Sequence, residues 1–135
     1  MRTLGHLAIG GVAAAAIALA ISCGGSSASP TSPSGSCSPG SSLTTIVIMN
    51  NSVCPQSLTV PRGTQVTFSN QDSRVHEMDS DPHPEHTDCP EINQVGFLGP
   101  GQSRQTGNLN AARRCGFHDH GNPDNAALKG TITIQ

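Results

Sequence analysis

The sequence contains no tryptophan, no tyrosine and only three phenylalanines among 135 residues. Aromatic side chains that would fill the interior of a helical bundle are therefore almost missing, and no stretch keeps a helical period over several turns. Charge is scarce too: seven Lys and Arg stand against nine Asp and Glu, for a formal net charge of -2. Nucleic-acid binding needs clustered cations facing phosphates, and the only basic pair is Arg113-Arg114, so no nucleic-acid partner is expected. A long apolar run is also lacking. Leu7 to Ile21 is apolar but Ala-rich and too short for a membrane span. No Ser-His-Asp spacing, paired acid pocket or phosphate-cradling glycine loop is present, and the chain is not expected to be an enzyme. What it has instead is 15 Gly, 10 Pro, six His and five Cys, a composition of short strands and turns with metal-ligating side chains.

The first 42 residues divide into two parts. Arg2 followed by the Leu7–Ile21 run has the form of an export signal, predicted over residues 1–22. It closes on Ala20-Ile21-Ser22-Cys23-Gly24, which resembles a bacterial lipoprotein processing site, implying lipidation of Cys23 and a membrane partner through that anchor. Residues 23–42 are mostly Gly, Ser, Pro and Thr and cannot bury enough apolar surface to offset their ordering entropy, so they read as a flexible tether. Export implies an oxidising compartment, and a disulfide from Cys37 to nearby Cys54 accounts for a cysteine inside a linker. The expected location is the cell envelope, periplasmic or outer-surface.

One domain is expected over residues 43–135. Thr44 to Met49 is β-branched and reads as a strand, and Asn50-Asn51-Ser52 as a turn. Ser57–Val60 and Thr64–Ser69 follow as short strands, then Val75–Met78, with a break over residues 70–73. Residues 79–102 are punctuated by Pro and Gly and predict a long ordered loop, a feature usually tied to function. Ser103–Leu109, Arg113–Phe117 and Lys129–Gln135 complete the set. Several short strands at near-regular spacing predict an all-β sandwich with Greek-key connections.

The chemistry concentrates in Cys115-Gly116-Phe117-His118-Asp119-His120, a thiol and two imidazoles within six residues. Such ligands suit copper and zinc. A second window, residues 72–91, mixes seven carboxylates with His76, His83 and His86, the pattern of cation binding or of carboxylates backing metal-bound imidazoles. Asp119 and Glu77 are candidates for the backing role.

The order of these segments resembles the cupredoxins. Leu58 to Asp72, with Val66-Thr67-Phe68 and then His76, is similar to that family's central strands and first copper histidine. Cys115-Gly116-Phe117-His118 ahead of Lys129-Gly130-Thr131-Ile132 is similar to its ligand loop and last strand, and Gly99-Pro100-Gly101-Gln102 to the preceding turn. The resemblance implies a cupredoxin-like Greek-key sandwich holding one copper, with His76, Cys115 and His118 as its ligands, while His120, also a candidate metal ligand, adds an imidazole that ordinary blue-copper loops lack. It also implies single-electron transfer and a redox partner protein, the chain itself being a monomer. A thiolate with two imidazoles in a trigonal set is the arrangement of blue-copper electron carriers.

The sequence departs from that pattern. Leu128 stands where an axial methionine is expected, Met78 lies in another segment, and residues 121–127 lengthen the loop. Asp81 to Thr87 together with Phe117 to Pro123 resembles a bacterial cupredoxin-like branch with His-Pro-x-His-Thr and Tyr-His-Asp-His-x-Asn-Pro segments. That resemblance implies a Cys89–Cys115 disulfide and a metal resting on His76, His83 or His86, His118 and His120. Cys115 is thus expected either as a thiolate ligand or in a disulfide, and the alternative function is redox-silent copper binding or delivery. Gly116 to Gly121 is also superficially similar to a copper-zinc superoxide dismutase segment, but no histidine follows His120.

Overall fold

The computed structural model of the protein describes residues 43–135. The expected signal peptide (1–22), the tether (23–42), the lipidation site Cys23 and Cys37 lie outside the described residues. Cys54 is disulfide-bonded, and its expected partner Cys37 lies in that undescribed part.

Among the described residues, nine strands form two sheets. They are β1 (Thr45–Met49), β2 (Ser52–Cys54), β3 (Ser57–Val60), β4 (Thr67–Asn70), β5 (His76–Ser80), β6 (Gly96–Leu98), β7 (Ser103–Gln105), β8 (Arg113–Asp119) and β9 (Gly130–Ile134). One sheet runs β2-β1-β4-β7 and the other β3-β9-β8-β5-β6. β1 lies parallel to β4 and β3 parallel to β9, while the other pairs are antiparallel. Crossovers between the sheets set these parallel pairs, giving the expected all-β sandwich.

Period-two alternation builds the core. Ile46 and Ile48 of β1 and Phe68 of β4 face Met78 of β5, Phe117 of β8 and Ile132 of β9, all fully buried. Phe68 and Phe117 meet edge to face across the gap, ring centres 5.1 Å apart, so two of the three phenylalanines join the sheets. β9 must pass close under this pair: a Cβ at Gly130 would lie 2.6 Å from the Gln56 carbonyl oxygen and overlap the Phe117 ring.

The predicted strands 44–49, 57–60 and 129–135 appear within a residue or two of their expected bounds. The segments expected over 64–69 and 103–109 are strand only over Thr67–Asn70 and Ser103–Gln105, and three further regions differ. Ser52, expected in a turn, opens β2, because Asn50 and Asn51 with φ of 53° and 58° reverse the chain in two residues. The 79–102 segment holds a 3-10 turn (Ile92–Gln94) and β6. β8 continues to Asp119 because β5 pairs with its far half, Met78 opposite Asp119 and Asp79 opposite His118.

Candidate metal centre

Strand parity sorts the histidines onto two faces. On β8, Cys115, Phe117 and Asp119 point into the sandwich, so His118 points away from it. On β5, His76 and Met78 point inward, and Asp79, opposite His118, points outward. His118 is nevertheless only 1% exposed, because residues 81–88 fold back over that outer face.

The returning segment is held by its backbone and by one covalent bond. Asp81 N–H donates to the Gly116 carbonyl (3.0 Å), His86 N–H to that of Pro82 (2.7 Å), and Asp88 N–H to that of Asp81 (2.9 Å). Asn93 ties it further, donating from Nδ2 to the His86 carbonyl and accepting the Ser80 N–H. Cys89, at its end, is disulfide-bonded to Cys115, with Cα atoms 5.8 Å apart and both residues fully buried. This corrects the thiolate expectation: Cys115 faces the core in a disulfide, so it has no thiolate to offer a metal.

Four imidazoles collect on the outer face. Ring-centre separations are 5.7 Å for His83–His86, 5.4 Å for His83–His118 and 5.0 Å for His83–His120. They are 5.2 Å for His86–His118 and 5.0 Å for His86–His120. His83, His86 and His118 offer ligand atoms within 4.8 Å of one another, as do Asp79, His86 and His120. An imidazole nitrogen sits roughly 2.0–2.1 Å from a bound first-row metal, so four rings arranged tetrahedrally round one ion would have centres roughly 5 Å apart. The observed cluster has that scale.

His118 supplies the most specific sign of a ligand. Its Nδ1 lies 2.7 Å from Asp81 Oδ1. A carboxylate only accepts, so Nδ1 carries a hydrogen and, in the neutral ring, Nε2 presents its lone pair. That Nε2 is buried and has no hydrogen-bond partner. An unpaired buried acceptor is costly in a folded protein, and here it belongs to an imidazole among other imidazoles. The carboxylate–histidine pair is also how metal-bound imidazoles are usually oriented. Around the other rings, Asp79 Oδ2 lies 3.9 Å from His86 Nδ1 and 3.7 Å from His120 Nδ1, and His120 Nδ1 lies 3.3 Å from His86 Nε2. An open depression of about 580 Å³, lined by Asp81, Pro82, His83, Pro123, Asp124 and Lys129, borders the cluster at His83.

His76 is elsewhere. It lies on the core side at the far end of β5, and both ring nitrogens face carboxylates: Nδ1 is 2.8 Å from Asp119 Oδ2 and Nε2 is 3.4 Å from Asp72 Oδ2. Asp119 Oδ1 also accepts the Glu77 and Gly121 N–H groups, and its Oδ2 the Asn122 amide. Asp72 accepts the N–H groups of Asn51 and Ser73 and lies near Arg74. Hydrogen bonds from Asn51, then Ser73, outweigh desolvation and hold the Asp72 carboxyl below its ordinary value of 3.8, with His76 and Arg74 adding smaller contributions. His76, expected to share an ion with His118, instead clamps the β4–β5 turn to the end of β8. It is in neither cluster of mutually close ligand atoms. Asp119 serves His76 rather than the outer imidazoles.

Of the expected ligands, the structure therefore brings together His118, His120, His83 and His86. Met78 and Leu128 are buried in the hydrophobic core. The sequence placed Asp79 and Asp81 only within the carboxylate window of residues 72–91, with no ring assigned to either. Their signal was the spacing of two beyond Glu77 on one strand face, legible only once the β5–β8 pairing is known.

The fold is that of the cupredoxins. No protein-family model and no curated protein matches the sequence. Among solved structures, a purple cupredoxin from Nitrosopumilus maritimus is similar at 19% identity and a TM-score of 0.53, over 68% of this chain and 99% of that one. Plastocyanin from Dryopteris crassirhizoma is similar at 20% identity and 0.53, over 67% and 99%. A copper-containing nitrite reductase from Thermus scotoductus is similar at 22% identity and 0.52, over 68% of this chain and 22% of that enzyme.

Proposed function

We propose that this chain is an exported copper-binding protein that holds one copper ion on the imidazoles of His83, His86, His118 and His120. The observation that carries the reading is the buried, unpartnered Nε2 of His118, on a residue that shares a cluster of mutually close ligand atoms with His83 and His86. Imidazoles suit several first-row metals, and copper heads the affinity order of the divalent ions. A copper-containing nitrite reductase among the fold's neighbours points the same way. The role is binding and carriage, without catalysis. Since Cys115 is committed to a disulfide, the donor set favours histidine-only binding or delivery over a thiolate-bound electron carrier. Single-electron transfer to a redox partner is the second reading, supported by the fold shared with plastocyanin and purple cupredoxin. Lipid anchoring through Cys23, in the cell envelope, belongs to the same proposal and rests on the Ser22-Cys23-Gly24 junction.

The test is a competitive Cu(II) titration of the purified protein. One ion per chain is expected, with His118→Ala weakening binding more than the roughly 10–100-fold loss typical of outer partners. Affinity unchanged in His118→Ala would overturn the assignment.

A further inference from the structure

We propose that Asp81 makes His118 a competent ligand by holding its ring in the Nδ1–H tautomer, and that Gly116 is glycine to let Asp81 do so. This rests on the reading of the cluster as a copper site, but the geometry behind it belongs to the ion-free protein.

Asp81 follows directly on β5, and its N–H donates to the Gly116 carbonyl (3.0 Å), which fixes it opposite Gly116 on the outer face of β8. From there its side chain leans along β8, across the Gly116 Cα, to reach His118 two residues further on. The contact is close enough that any side chain at 116 would push Asp81 aside. A Cβ there would overlap Asp81 Oδ2, lie 2.8 Å from Asp81 Cγ and lie 3.1 Å from Asp81 Cβ. Gly116 therefore supplies room rather than unusual backbone freedom, since its backbone is ordinary strand within β8.

The consequence is electronic. In neutral imidazole one nitrogen donates and the other accepts, and the partner of the first decides which. With Asp81 Oδ1 2.7 Å from Nδ1, the hydrogen of the neutral ring is placed there and the Nε2 lone pair is left free to coordinate. Without Asp81 the carboxylate that fixes the hydrogen on Nδ1 is gone, and a ring that carries the hydrogen on Nε2 cannot coordinate through that atom. Asp79 cannot substitute, because it lies beside His86 and His120 instead. Asp81 is thus a positioning residue, touching the ligand and not the ion.

The test is a long-range proton–nitrogen correlation spectrum of the metal-free protein, at a pH where the imidazoles are neutral. The expected result is the Nδ1–H form for His118 in the wild type. Asp81→Ala and Gly116→Ala should move it to the Nε2–H form, and their Cu(II) affinities should fall roughly 10–100-fold. An Nε2–H ring in the wild type would overturn the proposal whether or not the variants fold. So would a folded Asp81→Ala protein that keeps the Nδ1–H form. The expected tautomers in wild type and variants, with no copper bound by the wild type, would support the Asp81 role and sink the copper reading, so the two fail separately.

Discussion

His76 and His118 sit on neighbouring strands and would look equivalent in a list of histidines, yet their surroundings assign them different work. His76 has a carboxylate at each ring nitrogen, whereas His118 has one at Nδ1 and nothing at Nε2. His76→Ala should therefore leave Cu(II) affinity within about twofold of wild type. It should cost about 3 kcal/mol of stability by denaturant unfolding, because the Asp119 carboxylate, 2% exposed, loses its partner. Asp72 gives a pH prediction. Its carboxyl is held below 3.8 in the folded state, so it contributes stability above the unfolded value that is lost as pH falls through the folded one. Thermal midpoints measured from neutral pH down through the acid range should fall more steeply for wild type than for Asp72→Asn. Parallel curves would contradict that. His118 and His120 were legible from sequence because two imidazoles in Phe117 to His120 are hard to explain otherwise. Asp81 was not, because its significance is a cross-strand contact over a glycine.

At the scale of elements, residues 81–88 decide where the site lies. The segment returns over the outer face of β5 and β8 and is fastened by Cys89–Cys115, which closes a sequence separation of 26. The double variant Cys89→Ser with Cys115→Ser should lose about 3–4 kcal/mol of stability from the freed loop. It should still bind copper, more weakly, since the ligands stay on the chain but the loop holding His83 and His86 loses an anchor. Copper binding abolished in a folded double variant would instead restore Cys115 to the ligand set. Most strands were legible because Thr, Val and Ile alternate over four or five residues. β2 and β6, three residues each, were not, since so short a run carries no period. The face presented by each histidine was also hidden, because one residue of register decides it and register is set by pairing.

For the whole molecule, the sandwich was legible from strand spacing, punctuation and the resemblance of residues 58–76 and 115–132 to the cupredoxins. Placement of the metal at the junction of His76 with His118 was not upheld. The expectation was carried over from a ligand order in sequence, whereas parity in this chain turns His76 inward and His118 outward. What distinguishes the molecule is a cluster of four imidazoles with Asp79 on the outside of its five-stranded sheet, proposed above as an all-histidine copper site. The visible absorption and electron paramagnetic resonance of the Cu(II)-loaded protein test that most directly. Weak ligand-field absorption with hyperfine coupling to several imidazole nitrogens is the predicted result; an intense thiolate-to-copper band would contradict it.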